Sequence, residues 1–247
     1  EKKLNKYVIS HEPSPNFVSY VSIIYGMGVR QNKLDNIDIM MALGVVKSEI
    51  IKVLHNSHYT VRLPYWSPFY SLKQGVFVGT SVGNKTNCSY GRYEVDSKSA
   101  KQYNLSETTA EKIVEAAGDC IKDARDRWKI PYNINELDNL NYKIELLEPK
   151  KNWKEYPGKD VKRYFKMNGK QGIYLMLKDR KDAFTKRSAT YLPVVARENK
   201  HWTIEKYMNL LSEKANGLPN EWKNGKIKIY TSTSYTWNSK RQKLVVV

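Results

Sequence analysis

Hydrophobic positions along this chain switch between helical and alternating spacing, and each switch predicts an element. Ile39, Ala42, Leu43, Val46, Ile50, Val53 and Leu54 recur at steps of three and four, which predicts an amphipathic helix through Leu54 with Asp38 near the positive end of its dipole. Pro64 and Pro68 then mark a loop. Thr108-Thr109-Ala110-Glu111 has the spacing of a capping box, and Ile113, Ala116, Ala117, Cys120, Ile121 and Ala124 extend a second helix behind it. A third helix is predicted from Thr203, a good N-cap, to Ala215, with Ile204, Tyr207, Met208 and Leu211 on one face. Asn216-Gly217 tolerates positive φ and Pro219 follows, so that helix stops there.

Period two predicts a strand at Lys226 to Trp237. There Ile227, Ile229, Thr231 and Thr233 alternate with Lys228, Tyr230 and Ser232 and read as one continuous strand. Leu192, Met208, Leu211 and Ile229 are expected to share a core. Near the start, FVSYVSIIYGMG (Phe17 to Gly28) is β-branched, aromatic and ended by glycines, so it reads as a further strand or an extended arm.

Length and composition narrow the class. The 247 residues fit one large domain or two small ones, and 40% hydrophobic with 12% aromatic content is that of a chain that folds around a core. No apolar run approaches the roughly 18 residues of a membrane span, and no signal-peptide core is visible. A soluble protein is expected. Glu1 is not an initiator methionine, which leaves a removed leader, a cut chain and an omitted start equally open. The expected division is an N-terminal strand or arm over 1–36, a main domain over 37–238 and a basic C-terminal tail over 239–247.

Cys88 and Cys120 are too few for a disulfide scaffold, so two free thiols and an intracellular, reducing compartment are expected, with mitochondrial and nuclear addresses both open. Cys120, on the apolar stripe of the second helix, reads as a buried inert thiol. The triplets at Asn84, Asn87 and Asn104 match the glycosylation pattern, as chance matches do in an Asn-rich chain.

Charge is the strongest clue to partners. Forty-two Lys and Arg against 25 Asp and Glu give +17, the footprint of a chain that works beside phosphates. Basic clusters such as KDVKRYFK (Lys159 to Lys166), which carries Lys162, Arg163 and Lys166, interleave with Tyr164 and Phe165, so stacking on bases is one use of them. A solvated face in a Lys/Asn-rich chain is the plain alternative.

Several segments, in order, resemble the AMMECR family, named for the chromosomal region of the Alport, midface hypoplasia and elliptocytosis syndrome. SLKQGVFVGTSVGNKTNCSYGRYE (Ser71 to Glu94) is similar to its first hairpin, which carries LRGCIG, and this likeness implies a strand at Val76 to Val82. ELDNLNYKIELLEP (Glu136 to Pro149) is similar to its long strand, ELxxLxxxIxxLxP, and RSATYLP (Arg187 to Pro193) to its SATxLP turn. The likeness covers roughly residues 38–237. It implies an α+β fold: mixed, mostly antiparallel sheets with flanking helices in a larger and a smaller lobe. The arm's VSY strand is similar to the closing strand of the MEMO family, which offers a second reading of the first 30 residues.

The resemblance also supplies candidate site residues, although the family has no settled activity. In Thr86-Asn87-Cys88-Ser89-Tyr90-Gly91 the signature is altered: matched on Gly91, Ser89 takes the cysteine position; matched on Cys88, one residue is inserted. The arginine is absent either way. In the family the SATxLP turn packs beside this hairpin, which implies a cleft formed by Asn87, Cys88, Ser89, Gly91, Arg187, Ser188 and Thr190, the last three also reading as a rigid turn. A nucleophilic Cys88 needs a nearby base, and no spacing brings His55, His58 or His201 to it. His55 and His58 lack a third metal ligand, and neither a phosphate-cradling glycine loop nor a GxSxG elbow occurs, so no metal and no cofactor are expected. The leading expectation is a non-enzymatic basic module that binds RNA or is a structural component of a ribonucleoprotein or other assembly. An enzyme using Cys88 and a protein-interaction scaffold are the rivals.

Overall fold

The computed structural model describes residues 34–82, 85–126, 134–178 and 187–247. The strand expected at Phe17 to Gly28 lies outside these residues, as does the MEMO-like reading. The fold is α+β. Its described residues divide into two compact units, one built from those up to Leu146 together with Ser234–Val247, the other from those within Leu147–Thr233.

In the first unit, helix α1 (Asn36–Leu54) starts one turn earlier than the apolar stripe alone indicates, because Asp35 caps it. The Asp35 carboxylate accepts from the Ile37 and Asp38 amides, and Asp38 returns the bond to the Asp35 amide. Strands β1 (Val76–Val82) and β2 (Lys85–Arg92) form an antiparallel hairpin, followed by a short helix α2 (Ser97–Tyr103). The predicted capping box opens α3 (Thr109–Asp126): the Thr108 amide donates to Glu111 Oε2 at 3.0 Å and the Glu111 amide to Thr108 Oγ1 at 3.2 Å. Apolar faces of α1 and α3 share a core with β1, β2 and β3 that includes Ile39, Val46, Ile50, Val76, Val78, Ile113, Ile121 and Ile144.

The ELDNL segment departs from expectation. Rather than beginning a long strand, Ile134–Asn139 form a 3-10 turn, and only Asn141–Leu147 (β3) are extended. The first unit's sheet has strand order β2-β1-β3-β8-β9, where β8 is Ser232–Asn238 and β9 is Lys243–Val246. The basic C-terminal segment therefore supplies an edge strand, which pairs antiparallel with β8.

The second unit holds an antiparallel sheet of order β4-β7-β5-β6, from β4 (Lys154–Pro157), β5 (Gly172–Met176), β6 (Ser188–Tyr191) and β7 (Lys226–Tyr230). Its helices are α4 (Val161–Tyr164), α5 (Pro193–Glu198) and α6 (Ile204–Lys214). Thr203 caps α6 by accepting from the Lys206 amide, and Asn216 ends it at φ 58°. Met208, Leu211 and Ile229 share the core as expected; Leu192 is buried but lies outside that cluster. At its centre Tyr207 is fully buried against Phe165 and Tyr191.

The run Lys226 to Trp237 is two strands in two sheets, not one. The Thr231 amide donates to Glu148 Oε1 at 2.5 Å and its carbonyl accepts from the Glu148 amide at 3.0 Å, which takes the residue out of both ladders. Burial records the switch: Ile229 and Tyr230 are both buried, Thr231 and Thr233 are exposed, and Ser234 is buried, so the alternation changes phase there.

Candidate functional site

The signature hairpin is built from two strands whose register slips once. Thr80 pairs with Cys88 and Ser81 with Thr86, so Asn87 is the extra residue of a bulge. Beyond it, side chains alternate: Cys88 is buried and Ser89 is exposed. Gly91 lies opposite Phe77, and a Cβ there would come within 2.4 Å of the Phe77 ring. The space a glycine leaves at this point is filled by the protein's own aromatic side chain.

Cys88 is covalently bonded to Cys120 of α3, with Cα atoms 5.7 Å apart, which corrects the expectation of two free thiols and of an inert thiol at Cys120. The bridge follows from packing. Cys88 points inward from β2, and Cys120 lies on the α3 stripe that packs against that strand. Arg92 makes a second tie between the same elements, from its guanidinium to Glu115 at 3.0 Å and to Asp119. A cysteine in a disulfide has no thiolate with which to attack. His55, His58 and His201 are all exposed. Among the described residues, no three His, Cys, Asp or Glu side chains are grouped to hold a metal ion.

Arg187, Ser188 and Thr190 belong to the other unit, and their polar atoms are engaged inside it. Arg187 is 4% exposed; its guanidinium donates to the Lys178 carbonyl at 2.8 Å, to the Asn216 carbonyl at 3.2 Å and to Glu221 Oε2 at 2.7 Å. It thereby satisfies a carbonyl just past the end of α6. Ser188 Oγ accepts from the Tyr174 hydroxyl at 2.8 Å. Thr190 Oγ1 donates to the Ile173 carbonyl at 2.9 Å and lies 2.7 Å from the Tyr230 hydroxyl.

Lys162, Arg163 and Lys166 present a different picture, since all three are exposed. Gly158 sets this corner: a Cβ on it would overlap the Trp222 carbonyl oxygen, so only glycine lets the chain pass there between β4 and α4. The rings of Tyr156, on edge strand β4, and Tyr164, on α4, then stack with centroids 3.8 Å apart and planes 12° from parallel. The Arg163 guanidinium sits 5.2 Å from the Tyr164 ring centre, within cation–π range. Lys162 pairs with Glu205, whose carboxyl it holds below its ordinary range. Glu155 is likewise held low, first by Lys226 at 2.8 Å and then by Lys228. Lys154, Lys159 and Lys170 add exposed positive charge on neighbouring stretches of chain.

The charge is not evenly distributed. Leu147–Thr233 carries 20 Lys and Arg against nine Asp and Glu, a net +11 of the chain's +17. Composition had shown the excess, but only the division into units shows where it is concentrated.

Fold and hairpin define the class to which this protein is assigned. The AMMECR1 family model matches residues 48–237, and the chain belongs to the AMMECR1 family. Among solved structures it is similar to an uncharacterized protein, PH0010, from Pyrococcus horikoshii. The TM-score is 0.63 at 19% identity, over 83% of this chain and 94% of that one, a likeness of fold. No curated protein matches the chain.

Proposed function

We propose that this protein is a non-enzymatic, basic AMMECR1 module that binds single-stranded RNA through its second unit, as a component of a ribonucleoprotein. The observation that carries this reading is the Tyr156–Tyr164 stack with Arg163 over it, set among exposed lysines in the unit that holds most of the net charge. Stacked aromatic rings beside a guanidinium accept nucleobases of any sequence, and lysines around them neutralise phosphates. Lys166 and Lys170, both exposed, add positive charge on the stretch of chain that follows α4.

The bonding of Cys88 supports the non-enzymatic side of the proposal, because the residue best placed by the family signature to be a nucleophile is held in a bridge. The test is a titration with mixed-sequence single-stranded RNA at several salt concentrations. Micromolar or tighter binding at physiological salt, with log affinity falling linearly in log salt at about −0.7 per phosphate contact, is the expected result. Undetectable binding at low salt would overturn it.

A further inference from the structure

We propose that Glu155 and Glu205 make the basic surface of the second unit select single-stranded over duplex RNA, an inference that rests on the RNA-binding reading above. Both carboxylates stand among the cations around the Tyr156–Tyr164 stack. On edge strand β4, Glu155 lies opposite Lys228 of β7, and its carboxylate accepts from Lys226 at 2.8 Å and lies 3.4 Å from the Lys228 ammonium. Side-chain alternation puts this group on the other face of β4 from Tyr156. Glu205, in the first turn of α6, pairs with Lys162, two residues before Tyr164 in α4. Two carboxylates thus engage three lysines.

Folding does not account for this arrangement. The Glu155 and Glu205 side chains are 40% and 44% exposed, with Lys226 and Lys162 at 68% and 64%. Ion pairs so open to water contribute little to stability. Their effect falls on what approaches, because any nucleic acid that reaches these lysines brings its phosphates beside a fixed negative charge.

The two forms of RNA meet that charge differently. In a duplex the bases are paired and stacked on one another, so the tyrosine rings have no base to accept and attraction comes from the backbone alone. Two strands also crowd more charge along the axis, and a stiff rod cannot lead its phosphates around Glu155 and Glu205. A single strand stacks its bases on the rings, an attraction the carboxylates do not oppose, and bends its backbone away from them. Glu155 and Glu205 therefore weaken the duplex more than the single strand, and specificity is that difference.

The test compares mixed-sequence single-stranded RNA with a duplex of the same length, at physiological salt, on three proteins: the parent, Glu155→Gln/Glu205→Gln, and Glu198→Gln/Glu213→Gln. The last changes the charge equally at two exposed positions of the same unit, and screening confines each effect to its neighbourhood. Matching thermal melts verify that all three fold. We expect the parent to prefer the single strand, the first variant to lose that preference by about threefold or more through a gain in duplex affinity, and the control to keep it. Equal gains for both forms, an unchanged preference, a parent that prefers the duplex, or the same shift in the control would overturn this inference and leave RNA binding standing. A parent that binds neither form at low salt would overturn the RNA reading, and this inference with it.

Discussion

Cys88 of β2 and Cys120 of α3 are joined by a disulfide that ties the edge strand of the five-stranded sheet to the helix packed against it. The bond closes a loop with a sequence separation of 32, for which chain entropy gives about 3–4 kcal/mol of stabilisation. Cys88→Ala with Cys120→Ala should therefore lower unfolding stability by about that amount, read by denaturant titration, and leave RNA affinity within a few-fold. Iodoacetamide should label neither cysteine of the native protein until it is unfolded and reduced. Native labelling of Cys88, or loss of RNA binding by about a hundredfold with the fold intact, would return the cysteine to the functional account.

Arg187 tests whether the turn at Ser188 to Pro193 is a site or a support. Its guanidinium is buried and donates to two carbonyls and to Glu221, a geometry that a planar fork satisfies and an ammonium does not. Arg187→Met should cost about 1–3 kcal/mol, chiefly by leaving the Asn216 carbonyl without its donor, while Glu221, partly exposed, still accepts from the Leu218 amide. Arg187→Lys should recover only part of it. RNA affinity per folded molecule should stay unchanged; a specific loss of binding without loss of stability would place Arg187 in the interface instead.

Glu49 links stability to pH. It is 6% exposed on α1, close to Gly118 of α3, and accepts from Lys52 at 3.1 Å. Burial raises its carboxyl above the ordinary value, and the nearby Lys52 and Lys122 only partly oppose that. Between the ordinary and the raised value the folded state holds more protons than the unfolded one, so this group's contribution falls as pH rises through that window. Glu49→Gln keeps an acceptor for Lys52 and removes the titration. Its stability should exceed the parent's at neutral pH, and the difference should shrink as pH falls toward the ordinary carboxylate range. A difference that grows on acidification would show that ionised Glu49 is a net stabiliser, and a constant one that folding leaves its titration unshifted; either would contradict this account.

Local signals were legible wherever a single element decides its own form. The capping box at Thr108 and Glu111, the Thr203 cap and the Asn216 stop depend on neighbours within a few residues, and each lies where the spacing indicates. The bridge between Cys88 and Cys120 was not legible, because it depends on which helix packs against β2. No spacing along the chain encodes that contact. The break at Thr231 was hidden for the same reason: alternation continues through it, and the cause is Glu148, 83 residues away. Among candidate site residues, Arg187, Ser188 and Thr190 read first as a structural turn and second as ligand groups in sequence, and only their partners show how fully the fold engages them.

The central claim is that the basic surface of the second unit was built for phosphates and bases. Reversing Lys162, Arg163 and Lys166 to Glu, beside a control reversal of Lys98, Lys122 and Lys240 in the first unit, changes the net charge equally in both variants and leaves the cores untouched, since all six side chains are exposed. Affinity for mixed-sequence single-stranded RNA should be measured for parent and both variants across a series of salt concentrations. We expect the first variant to lose at least tenfold in affinity and to show a salt slope flatter by about two, at roughly 0.7 per contact removed, while the control retains the parental slope. Equal losses in the two variants, or no binding by the parent at low salt, would contradict the account.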